Sequence, residues 1–128
     1  MLVWALAVLA GLGAGLLGSF VHGSAAYGVP VGLLTALGLS LSVFSAAGLA
    51  TRSRAPTALA VAGWMLMVLL LSLRRPEGDL VVPATLLGYL WLLGGMATAA
   101  AALSVPYAAL RGAAPGRAAS TAAAPLDR

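Results

Sequence analysis

The chain has 128 residues, of which 62% are hydrophobic and 8% charged, with a formal net charge of +4 and a mean hydropathy of +1.04. Soluble domains carry about 25% charged residues, so water is excluded as the main solvent and the sequence reads as an integral membrane protein. With no Cys at all, a disulfide framework, a thiolate metal site and a Cys nucleophile are excluded together.

About 20 apolar residues are needed to cross about 30 Å of hydrocarbon, and four charge-free runs approach that length. The first is Leu2 to Val21, followed by the uncharged connection HGSAAYG, in which Gly23, Ser24 and Gly28 are turn residues. Nothing basic precedes this run, and at about twenty residues it exceeds the apolar core of a signal peptide, so a spanning helix is expected and cleavage is not. The second run, Pro30 to Ala50, starts on a proline where a missing N–H is harmless. The link TRSRAP separates it from the third, Thr57 to Leu73, which is short at roughly 25 Å but flanked by Arg54 and Arg74, able to snorkel. The fourth begins between Leu80 and Ala84, at about residue 83, and ends before Pro106. The expected fold is therefore all-α, a polytopic bundle of four transmembrane helices over residues 1–107. Residues 108–128, rich in Ala, Pro, Gly and Ser, form a flexible cytoplasmic tail without a core of its own.

Arginines near the helix ends set the orientation. With the N-terminus inside, Arg52, Arg54, Arg111 and Arg117 lie inside and Arg74 and Arg75 outside, which favours N-in, C-in. The segment Arg74, Arg75, Pro76, Glu77, Gly78, Asp79 then faces outward as a tight charged turn and is the candidate interaction loop. Arg75 precedes a proline and so ends the third helix near Arg74. Asp79 stands where its carboxylate could cap the fourth helix.

Helices in lipid gain nothing from apolar burial against one another, so close backbone approach must hold them. Ala7, Gly11, Gly15, Ser19 and Gly23 recur every four positions in the first helix; Gly28, Gly32, Ala36 and Ser40 do so in the second. Gly94, Gly95, Thr98 and Ala102 offer a third packing face in the fourth.

Ion-coupled transporters usually keep an ionisable side chain at mid-membrane, and none of the four runs has one. His22, at the outer end of the first run, reads as an interfacial residue. With a single His and no Cys, neither a catalytic triad nor a metal site is expected; no catalytic residue, cofactor or nucleic-acid partner is assigned. The hydroxyls of Thr35, Ser40, Ser42, Ser45, Ser72, Thr85 and Thr98 could line a polar path, although such groups more often bond their own helix or bridge two helices. Trp4, Tyr27 and Tyr107 mark run ends as an aromatic belt does. Trp64, Tyr89 and Trp91 lie deeper, as interhelical packing residues whose N–H and O–H groups need partners.

The first helix, with GLGAGLLGSFVHG, and the stretch LSVFSAAG resemble small fluoride channels in outline, but the chain lacks their second-helix Asn and their paired-Thr and Phe box. It also lacks the membrane Glu of small multidrug exporters. Two other stretches, RPEGD at Arg75 to Asp79 and LGYLWLLGGM at Leu87 to Met96, resemble an uncharacterised family of small four-helix membrane proteins from high-GC actinobacteria. The resemblance extends to about Tyr107. It implies a topology and a source in the bacterial cytoplasmic membrane, but no activity. The absence of Lys, Asn, Ile, Gln and Cys beside abundant Ala, Gly and Arg fits a GC-rich bacterial genome. Besides the bilayer itself, the expected partner is a larger membrane protein, for which the chain would be an accessory subunit. The alternative is self-association into a small channel or exporter for an apolar or weakly polar solute.

Overall fold

A computed structural model of the protein describes residues 1–73, 82 and 84–107. They form four helices, α1 (Leu2–Val21), α2 (Val31–Thr51), α3 (Arg54–Ser72) and α4 (Leu86–Ser104). All four are long and apolar enough to cross a membrane. The fold is all-α, as its composition requires.

Local chemistry explains where the helices begin. α3 starts at Arg54, earlier than the expected Thr57, because Ser53 caps it: the Ser53 hydroxyl accepts from the Ala55 N–H at 3.4 Å. Pro56 then falls in the first turn, where its missing N–H would have found no partner anyway. α4 starts at Leu86, later than the expected residue 83, with the Thr85 hydroxyl accepting from the Gly88 N–H at 3.3 Å. Thr85 therefore takes the capping role expected of Asp79, which lies outside the described residues together with the rest of the Arg74–Asp79 loop and residues 108–128.

Two connections show left-handed backbone. Between α1 and α2, Ala26 and Val29 exchange both backbone hydrogen bonds at 3.0 Å. The two residues between them, Tyr27 (φ 53°) and Gly28 (φ 79°), have the positive φ that a type I′ turn demands. Between α2 and α3, Arg52 adopts φ 52° as the C-cap of α2, and its N–H reaches the Gly48 and Leu49 carbonyls.

Short connections make consecutive helices antiparallel, so α1 and α3 run parallel. They also make the closest crossing in the bundle. Gly11 sits on the backbone of Ala60, Gly15 on that of Trp64, and Gly63 on the carbonyl of Val8, each so near that a methyl group would collide. α2 packs on α1, α4 and α3, whereas α3 meets α4 only slightly and α1 meets α4 least.

Candidate functional site

The interior is organised around aromatic rings stacked along the bundle axis. Phe44, Trp64 and Trp91, on α2, α3 and α4, are completely buried. Trp64 meets Phe44 edge-on at 6.1 Å and Trp91 at 5.3 Å, the tilted geometries that aromatic quadrupoles favour. His22 continues the column, its ring stacked on Trp91 at 6.1 Å. At the opposite end the Tyr107 ring packs over Gly48, and the Thr57 hydroxyl donates across the helix interface to the Phe44 carbonyl at 3.1 Å. Counting 1.5 Å per helical residue, Trp91 lies roughly 7 Å and Phe44 roughly 20 Å from the His22 end. The rings therefore fill much of the length of the bundle.

Glycines make room for these rings. A Cβ at Gly18 would strike the Trp91 indole, at Gly95 the Trp64 indole, and at Gly48 the Tyr107 ring. Of these only Gly95 is among the packing residues expected from the sequence. Gly48 extends the second ladder by two further steps through Phe44, a continuation that small size alone does not reveal because a large ring interrupts it. Gly18 and Gly63 lie off the ladders.

The column ends in a polar head formed by Ser19, His22 and Trp91. The Ser19 carbonyl lies 2.8 Å from His22 Nδ1, and a carbonyl only accepts, so the proton sits on Nδ1. The Ser19 hydroxyl accepts from the Trp91 indole N–H at 3.4 Å. His22 thus engages the backbone of Ser19 and not its hydroxyl. That arrangement orients two rings; it does not prepare a serine nucleophile, which needs the base on the hydroxyl. Among the described residues no group of three His, Cys, Asp or Glu side chains could hold a metal ion.

Several expected placements change. His22 lies at the end of its run as expected and is also buried, because the Trp91 ring covers one face and the last turn of α1 binds its Nδ1. Tyr107 is buried rather than in a belt, with its hydroxyl donating to the Ala102 carbonyl at 2.8 Å. Tyr89 faces outward, exposed. Trp64 is buried as packing, yet its N–H has no hydrogen-bond partner among the described residues. Trp4 and Tyr27 are exposed.

The small-residue ladders separate in the same way. Gly11 and Gly15 face α3, and Ser19 reaches Trp91 on α4. Gly32 sits on the carbonyls of Val21 and Ser24 at the end of α1. Ala36 and Ser40 are buried, with Ser40 donating to the Ala36 carbonyl at 2.9 Å. Gly94 meets the Leu37 side chain and Gly95 the Trp64 ring. Gly28 does not pack: it lies before α2, exposed, in the turn that its left-handed φ serves. Thr35, Ser42, Ser72 and Thr98 each donate to a carbonyl of their own helix.

With this geometry in hand, the comparison with known families is informative. Residues 1–120 match the family of unknown function DUF6113. The chain belongs to that family. The match takes in all four helices of this DUF6113 protein, the whole ring column and the charged stretch between α3 and α4. No curated protein and no solved structure matches the chain.

Proposed function

We propose that this DUF6113 protein is an accessory subunit of a larger assembly in the bacterial cytoplasmic membrane, with both termini on the cytoplasmic side and no catalytic role of its own. The observation that carries this reading is the filled axis. Phe44, Trp64 and Trp91 occupy the space where a solute path through one bundle would run, and the Thr57 and Tyr107 hydroxyls are committed to backbone carbonyls. What such a bundle offers is its exterior and its ends. The end that this reading turns outward carries the exposed Tyr27 turn, and the sequence that follows α3, Arg74 to Asp79, is the richest concentration of charge in the chain.

The test is purification from the native membrane in a mild detergent, with the Glu77→Ala variant beside the natural chain. A larger membrane protein in stoichiometric amount, retained by the natural chain and lost with Glu77→Ala at unchanged folded yield, is the expected result. A homo-oligomer that makes liposomes permeable would overturn the proposal in favour of a channel.

A further inference from the structure

A second feature lies on the outside of the bundle, at the end opposite His22. Between α1 and α2 there lies a groove of about 320 Å³. Leu6, Ala7 and Ala10 on α1 and Ala46, Ala47 and Ala50 on α2 form most of its lining, which is wholly apolar. The volume is at the lower end of the range of about 300–1,000 Å³ for small-molecule sites. Its base is the pair Ala7 and Ala47, respectively buried and half-buried, while Leu6, Ala10, Ala46 and Ala50 stand exposed around it.

The groove's length argues for its occupant. From Ala50 to Val43 it follows α2 for roughly 10 Å, within the roughly 15 Å of one leaflet. A single acyl tail fits within one leaflet. Immediately beyond the groove's end stands Arg52, exposed, one residue after α2. Arg54 donates its Nε–H to the Val105 carbonyl at 3.4 Å; among the described residues the other cations at this end are Arg52 and the Met1 amine.

Arg52 is also an unusual residue for its position. Its φ of 52° places it in the left-handed region, at a helix C-terminus where glycine is the favoured occupant. An arginine held in such a conformation is strained relative to glycine.

We propose that α1 and α2 bind one anionic phospholipid, with an acyl tail in the groove and the phosphate on Arg52. This binding shares with the accessory role only the premise that the helices span a bilayer, and it stands or falls separately from any protein partner.

The test uses the full chain purified in mild detergent and titrated with phosphatidylglycerol or phosphatidylcholine of identical tails, with bound lipid counted by native mass spectrometry. One phosphatidylglycerol is expected to be retained, in preference to phosphatidylcholine by roughly fivefold, the effect of one arginine at an anionic surface. Arg52→Gly relieves the backbone strain, so it should melt no lower than the natural chain while losing the preference; Arg52→Gln should lose it as well. Ala46→Leu, a change at an exposed position that fills the groove, should reduce retention of both lipids. Equal retention of the two lipids by the natural chain would overturn the proposal. Retention unaffected by Ala46→Leu would also overturn it, as would a dimer of the chain that excludes lipid from the groove.

Discussion

The α1–α3 crossing makes a quantitative demand on Gly11. A Cβ built there would lie 2.7 Å from the Ala60 carbonyl carbon and 2.9 Å from its Cα. Ordinary contact begins near 3.5 Å, so Gly11→Ala must part the helices by about 0.8 Å or more, a gap that forfeits a quarter to a half of the dispersion between facing atoms. The obstacle is backbone, so no rotamer change relieves it. Overpacking of this kind costs about 1–3 kcal/mol, partly offset by the roughly 1 kcal/mol by which Ala exceeds Gly in helix propensity. Gly13 supplies the control, because a Cβ there meets nothing within 4 Å. Gly13→Ala keeps the propensity gain without the collision. The propensity term cancels in the comparison, and Gly11→Ala should be less stable than Gly13→Ala by about 1–3 kcal/mol. Unfolding by increasing fractions of a denaturing detergent, followed by tryptophan fluorescence, measures the difference. Equal stability of the two variants would refute the close crossing and with it the parallel pairing of α1 and α3.

The other packing statements can be checked in the same assay. Thr57→Val keeps the shape and deletes the bond to the Phe44 carbonyl, so a loss of about 0.6 kcal/mol is expected, the average for such bonds between membrane helices; an unchanged melt would mean the bond is not formed. Trp91→Phe should cost more than Trp64→Phe by about 1 kcal/mol, because Trp91 gives up a hydrogen bond to Ser19 and Trp64 gives up only an unpartnered N–H. The reverse order would show that Trp64 has an acceptor. Arg52→Gly should stabilise the chain by about 1 kcal/mol through relief of the left-handed backbone, read as a higher melting temperature.

The number and approximate place of the helices were legible because a membrane span must be long, apolar and free of charge, and the four runs are so. The start of α3 was less so: Arg52 and Arg54 suggested a connection, although Ser53 followed by a proline in the first turn is itself a helix-start signal. The ring column was largely hidden. Helices that are apolar on every side give no periodic contrast between inside and outside, so Trp91 and Tyr89, two residues apart, read alike although one is buried and the other exposed. The ladders indicated that Gly11 and Gly15 share a face, but spacing within one helix carries no information about which helix lies opposite. The burial of His22 was hidden for a related reason. Its position at the end of a run set its depth, whereas its burial depends on Trp91, far away in sequence.

The partnership of α1 with α3 has a consequence for biosynthesis. The segment that α1 fits most closely is synthesised only after α2, so from the completion of Val21 to that of Ser72 roughly fifty residues must be added, which takes roughly 3–10 s at about 5–20 residues per second. During that interval α1 and α2 can meet as a hairpin, while the notch around Gly11 and Gly15 stands without its ridge. A nascent chain stalled before α3 would leave the helix backbone at Gly11 and Gly15 uncovered, a mark that separates an unfinished chain from a finished one.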